Sequence, residues 1–320
     1  MAVDMSQAKK VLCIGSVTTD VIVTPVDSVP EPGTLRSVQS ITTHVGGCAS
    51  NAAIDLAKIG IPVALSCRVG KDTFGDFVRK TAAENGVDVS NVVSGDTPTT
   101  VSMVCISSSG ERSFLYQPGS TAAFVKEDIS GKLADECGII FVAGAMLMTS
   151  FDGKPCAEFM KEQQAKGKFT VMDTAWDFED KWLPKVAAVI PHLDLFMPSV
   201  EEAAKISGET EPEKIADKFF EMGAKNVIIK VGKNGAYIRE GGKPGYTLPT
   251  YRQFKPKDST GAGDSFCAGF LAGLSLGWDF RRAGEFANAV GTHCILEIGA
   301  STGIKSMDEI LDFMARTPIE

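Results

Sequence analysis

Short runs rich in Val, Ile and Leu alternate along this chain with helical stretches closed by glycine, and that rhythm restricts the fold more than any other feature. Val11 to Ile14, Val63 to Cys67, Ile139 to Ala143, Thr170 to Met172 and Val227 to Val231 read as buried strands. Helical patterns over Asn51 to Ile59 and Thr73 to Asn85 are stopped by Gly60 and Gly86, since glycine readily takes the left-handed conformation that ends a helix. Parallel strands require such crossovers, and a sheet built from them is covered by helices on both faces. The expectation is an α/β fold with a mostly parallel central sheet. No repeat, low-complexity tract or Gly/Ser/Pro-rich linker divides residues 1–320, so one domain is expected.

Two stretches break the rhythm, about 20–45 and 97–117. In the second, Val101 to Ser107 and Arg112 to Gln117 flank the turn Ser108 to Glu111. Both read as β-ribbons without a crossover helix. Remote in sequence and alike in lacking a helix, they are expected to pair into a small sheet that stands off the main one as a lid.

Composition narrows the function classes. Apolar residues at 44% and charged residues at 22% fit a folded globular chain rather than a disordered one. The net charge of −8 argues against a broad nucleic-acid surface, which needs clustered Lys and Arg to displace counterions. No apolar run approaches the ~18–20 residues of a bilayer span, and Met1 to Lys10 lacks the charged-then-apolar layout of a signal peptide. A cytoplasmic address is expected. The eight cysteines are scattered without a C-x-x-C pair, and none of His44, His192 and His293 pairs with a ligand at metal spacing. They are read as free thiols, without a structural zinc.

The chemistry concentrates in Asp258-Ser-Thr-Gly-Ala-Gly-Asp264, which opens an apolar helix through Cys267 to Ser275. Gly261 and Gly263 let the backbone turn tightly and remove side chains, so that successive backbone N–H groups can face an anion where the helix dipole also favours negative charge. Asp264, in the first turn, would lie beside that phosphate cradle and could accept the proton of an attacking hydroxyl. An Asp there also caps many ordinary helices, so on these residues alone the two readings stand level.

Other phosphate motifs are missing: there is no G-x-x-x-x-G-K-[ST], no G-x-G-x-x-G starting at Gly15 or Gly261, and no D-F-G or H-R-D string. Gly299-Ala-Ser301-Thr-Gly303 does match the G-x-S-x-G elbow of serine hydrolases. There the triad histidine follows the serine, whereas the last histidine here is His293, and the next helix signal is the capping box at Ser306.

Taken together, these residues resemble the ribokinase-like (PfkB) carbohydrate kinases over nearly the whole chain. The resemblance rests on Gly46-Gly-Cys-Ala-Ser-Asn51-Ala-Ala, with Gly60 and Gly70 beyond it, and on Asp258 to Asp264. It implies a three-layer ribokinase-like sandwich with a small β-sheet lid, and an ATP-dependent sugar kinase assisted by Mg2+. Asp264 would be the base, and Gly261, Ala262 and Gly263 the anion hole. Substrate hydroxyls would be held by Asp20 and Asn51, with Gly46 and Gly47 allowing close backbone approach; read without the resemblance, these are a turn residue and an N-cap. Gly232 and Gly235 would flank ATP, although they read equally as a hairpin turn, and Asn288 would lie on the adenine side. The family's N-x-x-E pattern for magnesium and phosphate becomes Ser199-Val-Glu-Glu202, which keeps Glu202 as a water-mediated magnesium ligand and replaces Asn by Ser. Asp258, with carbonyls of Ile295 to Thr302, would hold a monovalent cation, potassium being the candidate.

The core motifs do not separate sugars from nucleosides, since both offer vicinal hydroxyls. A sugar or sugar acid is placed first, a nucleoside second and a sugar phosphate third. A non-catalytic sugar-binding regulator is disfavoured by the intact Asp264. Phe114 and Tyr116 share one face of a ribbon and could stack on a ring or simply pack. Cys48 stands where some relatives carry lysine, and Arg36 and Arg112 are the cations on the ribbons. Exposed ribbon edges make a second copy of the chain the candidate partner.

Overall fold

The computed structural model describes residues 3–319. A nine-stranded sheet runs in the order β13-β12-β11-β10-β9-β8-β1-β4-β5. Its strands are β1 (Val11–Gly15), β4 (Val63–Gly70), β5 (Asp88–Gly95), β8 (Ile139–Ala145), β9 (Phe169–Thr174), β10 (Leu195–Phe196), β11 (Asn226–Lys230), β12 (Ala236–Glu240) and β13 (Tyr246–Leu248). All neighbours are parallel except β11–β12 and β12–β13, the hairpin edge.

The period-two alternation of these strands feeds two separate apolar layers. Val11 and Cys13 of β1 face one layer and Leu12 and Ile14 the other, all fully buried. The first layer is covered by α1 (Cys48–Ile59), α2 (Thr73–Glu84), α9 (Ala262–Ser275), α10 (Phe280–Ile295) and α11 (Met307–Arg316). The second is covered by α4 (Gly131–Glu136), α5 (Lys154–Ala165), α6 (Leu183–Val186), α7 (Val200–Ser207) and α8 (Pro212–Glu221), while α3 (Gly119–Ala122) is a single turn. The three layers expected from the resemblance are present.

The two helix-free stretches form a second sheet, ordered β3-β2-β6-β7, from β2 (Thr18–Thr24), β3 (Ser40–Gly46), β6 (Val101–Ile106) and β7 (Arg112–Gln117). Parallel pairing of Thr19 with Val101 and Val23 with Cys105 joins the two ribbons. Asp20 therefore lies within a strand of this sheet, which corrects its reading as a turn residue.

Helix α1 begins at Cys48, three residues before the expected start, because Gly47 at φ 94° makes the entry turn that no side-chain cap provides. Asn51 is thus an interior helical residue and not an N-cap. Gly60 ends the helix in the left-handed conformation, as its position predicts. Helices α9 and α10 approach closely along Gly269 and Gly273: a Cβ at 269 would lie 2.8 Å from Ala287 Cα, and one at 273 would lie 2.7 Å from Ala283 Cβ.

Candidate active site

Two cavities meet at the carboxyl ends of β9, β10 and β11, the edge where open α/β sheets bind ligands. The first, of about 430 Å³, is lined by Gly232, Gly235, Tyr251, Phe254, Phe266 and Asn288, among others. The second, of about 360 Å³, is lined by Cys48, Asp173, Trp176, Ser199, Glu202 and Asp264. Lys230, Gly232 and Gly263 line both. An elongated ligand could therefore span from the mostly apolar cavity into the acidic one past Gly263.

Gly261 caps α9 at φ 78°, and a Cβ there would sit 2.7 Å from Ala300 Cα, so glycine is required on both backbone and space grounds. The first turn of α9 has N–H groups without an intrahelical partner, of which Ala262 N donates weakly to Ser259 O at 3.3 Å, and it places Gly263 between the cavities and Asp264 in the acidic one. Asp264 Oδ2 accepts from Asn51 Nδ2 at 2.8 Å. Burial raises the Asp264 carboxyl above its ordinary value, against the pull of Asn51, Lys230 and Cys48.

Asn51 is buried, and its Oδ1 has no partner. Asp20, on β2 across from His44, accepts from Thr18 Oγ1 at 2.8 Å, and burial raises its carboxyl as well. A Cβ at Gly46 would lie 2.6 Å from the Asp20 carboxyl carbon and 2.7 Å from the Thr18 hydroxyl. At Gly47 it would lie 2.6 Å from Ser16 O. Tyr116 shares the Asp20 face of the small sheet by register, and its buried hydroxyl also lacks a partner. Its ring lies 6.2 Å from Phe178, whereas Phe114 is largely exposed. Unpaired buried polar atoms are rare in folded chains, so Asn51 Oδ1 and Tyr116 Oη are acceptors and donors that suit a hydroxylated ligand.

On the side expected to take the nucleotide, Gly235 has φ 88° and Gly232–Asn234 forms a short 3-10 turn after β11, as the hairpin reading also requires. Asn288 is buried on α10, with Nδ2 donating to Pro249 O at 3.0 Å. Ser199 caps α7: its hydroxyl accepts from Glu202 N, and Glu202 Oε2 accepts from Ser199 N at 3.1 Å and from Thr174 Oγ1 at 2.8 Å. The Ser199 side chain is thereby committed to the helix end. Burial raises the Glu202 carboxyl, and the Asp173 charge raises it further. A magnesium ion beside Glu202 would be held mainly through water and phosphate oxygens, as small hard cations often are.

Asp258, nominated for a monovalent cation, is paired with a guanidinium: Arg112 Nη2 lies 2.7 Å from Oδ1. Thr260 N donates to Oδ1 at 2.8 Å and Gly299 N to Oδ2 at 3.0 Å. These donors hold the carboxyl below its usual value even though burial opposes them. Arg112 thus ties the small sheet to the loop before α9, a link the sequence did not reveal. The Gly299 to Gly303 segment is a turn region with Ser301 Oγ buried, while the His293 ring packs edge-on against Phe313. No strand-to-helix elbow forms there.

The sequence reading also missed Lys230, Asp173 and Asp55. Lys230 and Asp173 are charged residues at the ends of otherwise apolar parallel strands, and Asp55 interrupts the apolar face of α1. Each is a visible break in pattern.

An apolar slot, a glycine-opened helix start, a facing carboxylate and a second polar pocket are the parts of a phosphotransferase. The chain matches the model of the pfkB family carbohydrate kinases over residues 8–307, and it belongs to that family. It is a carbohydrate kinase. It is 27% identical over 295 residues to 2-dehydro-3-deoxygluconokinase of Bacillus subtilis, covering 89% of this chain and 91% of that one. The Arabidopsis thaliana ribokinase solved with ribose and ATP superposes with a TM-score of 0.84 at 22% identity, covering 97% of this chain and all of that one. An E. coli chain of the same fold, solved with ATP and Mg2+, gives 0.83 at 22% identity, with the same coverage. No described helix is long and apolar enough to cross a membrane.

Replacing Gly46 by Ala tests the hydroxyl-binding assignment. The added methyl would push the Asp20 carboxylate aside, and losing one charge-assisted hydrogen bond raises the acceptor KM about 10–100-fold. Steady-state kinetics should show KM for ATP unchanged; an unaltered acceptor KM would remove Asp20 from the sugar site.

Proposed function

We propose that this chain transfers the γ-phosphoryl group of ATP to a primary hydroxyl of a small sugar or sugar acid, with Asp264 as base and the N–H groups of Gly261, Ala262 and Gly263 as anion hole. The observation that carries it is the position of Asp264 in the acidic cavity, next in sequence to Gly263, which lines both cavities, and tethered to Asn51, whose free Oδ1 suits a substrate hydroxyl. Gly232, Gly235 and Asn288 line the nucleotide half, and Asp20, Gly46, Gly47 and Asn51 make the acceptor half. Glu202 would help hold a magnesium ion through water, and the ion would supply charge neutralisation on the phosphates. No step calls on potassium, since Asp258 faces Arg112. The lid and the sandwich act as one domain, in the reducing cytoplasm where eight free thiols persist.

The test is a coupled ADP-release assay with ATP and Mg2+ over hexoses, pentoses, sugar acids and nucleosides. Turnover with a sugar or sugar acid supports this reading. Preference for a nucleoside would transfer the same chemistry to the second substrate class, for which the aromatic rings of Tyr116 and Phe178 speak.

The outer face of the small sheet supports pairing with a second copy. Ile41, Met103 and Leu115 project from it and are 64%, 39% and 66% exposed. Sedimentation at micromolar concentration should give the dimer mass, falling to the monomer for Leu115→Glu. A monomeric wild type would end the idea.

A further inference from the structure

The segment that follows β9, residues 175–182, departs from ordinary backbone geometry. Among the described residues three that are not glycine have left-handed φ, Met146 at 84°, Asp180 at 54° and Trp182 at 54°, and all three belong to one network around this segment. Asp177, 1% exposed, accepts from the backbone N–H of Glu179 at 3.1 Å and from those of Lys181 and Trp182 at 2.7 Å. Lys185 Nζ, also buried, lies 2.7 Å from both the Asp177 and the Glu179 carboxylates and donates to Met146 O at 3.0 Å. Asp152 accepts from Met146 N at 3.0 Å, and the Trp182 indole donates to Asp180.

A buried ion pair contributes little net stability compared with apolar residues of the same size, and left-handed backbone at bulky residues is unfavourable, so closing a surface loop does not account for this network. What it fixes is the outward side of the segment, where Trp176 and Phe178 are 56% and 51% exposed. Trp176 lines the acidic cavity together with Asp264 and stands edge-on to Trp182 at 4.9 Å. Phe178 lies beneath Lys185 Nζ at 5.6 Å and faces the Tyr116 ring of the small sheet at 6.2 Å. Burial foremost, with Cys48 and Asp20 close by, pushes the Tyr116 phenol up to about 12, so its unpartnered hydroxyl keeps its proton. Two aromatic rings are thus held with open apolar faces across from the side of the small sheet that carries Asp20.

The charges within reach do not suit an anionic acceptor. Asp173, Glu201, Glu202 and Asp264 line the acidic cavity, and the lysine among its lining residues, Lys230, lies 2.7 Å from both Asp173 oxygens. Lys185 is taken up by Asp177 and Glu179, and Arg112 by Asp258. We propose that Trp176 and Phe178 are specificity-determining residues which, with Tyr116, grip a neutral acceptor by the apolar C–H face of its ring, so that uncharged furanose or pyranose rings are phosphorylated and sugar acids and sugar phosphates are turned away. This rests on the reading of Asp264 as the base. Aromatic faces match ring C–H groups, while a carboxylate or phosphate in the same place would meet like charges. A free sugar and the sugar of a nucleoside share this chemistry.

The test measures kcat/KM with ATP and Mg2+ over matched acceptors. Glucose, glucitol and gluconate, and likewise ribose, ribitol and ribonate, separate ring form from charge; fructose is set against fructose 6-phosphate, and inosine beside ribose shows whether the ring comes free or on a base. The ring should be favoured about tenfold over its open-chain polyol, and the neutral member about 10²-fold over the anion. Trp176→Ala and Phe178→Ala should each raise the acceptor KM about tenfold, leave kcat and the KM for ATP near wild type, and shrink the preference for rings. Binding is read without turnover from tryptophan fluorescence in Asp264→Asn: a neutral ring should change the emission, and Trp176→Phe in that background should lose most of the change while keeping the affinity. Preference for an anion, with Asp264→Asn inactive, would overturn the inference and leave the kinase reading standing. Neutral rings that neither react nor bind, or alanine variants with an unchanged acceptor KM, would overturn it as well. A wild-type rate in Asp264→Asn would remove the base, and the ring preference and fluorescence change would still decide the inference.

Discussion

Asp264→Asn should lower turnover by about 10²–10⁴-fold while leaving the acceptor and ATP affinities near those of wild type. Asn fills the same space and can still accept from the Asn51 amide, so the start of α9 keeps its geometry. What is lost is the acceptor for the hydroxyl proton. The pH profile gives an independent reading. Because burial raises the Asp264 carboxyl, the ionised form that works as a base disappears at a higher pH than for an exposed aspartate. Wild-type kcat/KM should fall on the acid side through that raised value, and the residual rate of the Asn variant should not show this limb. A variant within a factor of a few of wild type would leave transfer to positioning alone.

Asp55→Asn should reverse part of the protein's dependence of stability on pH. Asp55 lies one helical turn beyond Asn51, fully buried, with Oδ2 accepting from Ser265 Oγ at 2.6 Å and Oδ1 without a partner. Burial pushes its carboxyl up to about 7, with the Asp264 charge adding to that and the Ser265 hydroxyl and Lys58 opposing. Between the ordinary value of 3.8 and about 7, the folded chain holds a proton that the unfolded chain has released, so stability falls as pH climbs through that window. A shift of this size corresponds to about 4 kcal/mol. Asp152, raised to about 7 by burial, contributes in the same direction and remains in the variant. Urea unfolding of Asp55→Asn should therefore give a higher midpoint than wild type at pH 8 and an equal or lower one at pH 4.5. Parallel curves would show that Asp55 is not the group responsible.

Much of this could be read before any coordinates existed, for definable reasons. Strand alternation and glycine helix stops are local signals, and β1, β4, α1 and α2 appear within a few residues of their expected places. The pairing of two remote ribbons was legible because neither had a crossover helix to join it to the main sheet. Asp264 was visible through the glycines before it. Lys230, Asp173 and Asp55 were not, because a lone charge in an apolar run acquires meaning only when the elements around it are known. Arg112 was legible as a cation but not as the partner of Asp258, a contact across 146 residues that no spacing encodes. The start of α1 was misplaced because Gly47 replaces the polar cap that usually marks a helix entry.

The bond from Asn51 to Asp264 joins residues 213 apart, and that from Asp55 to Ser265 joins residues 210 apart. During synthesis at roughly 5–20 residues per second, the polar face of α1 therefore waits about ten to forty seconds for its partners to leave the ribosome. Throughout that interval the first apolar layer lacks α9, α10 and α11, and β1 must also wait for β8. Until they emerge, the apolar side chains that α1 and β1 turn toward that layer have no cover from those helices. The candidate site is therefore assembled only after α9 has emerged and packed against α1, so no partial chain that stops short of residue 264 can carry it.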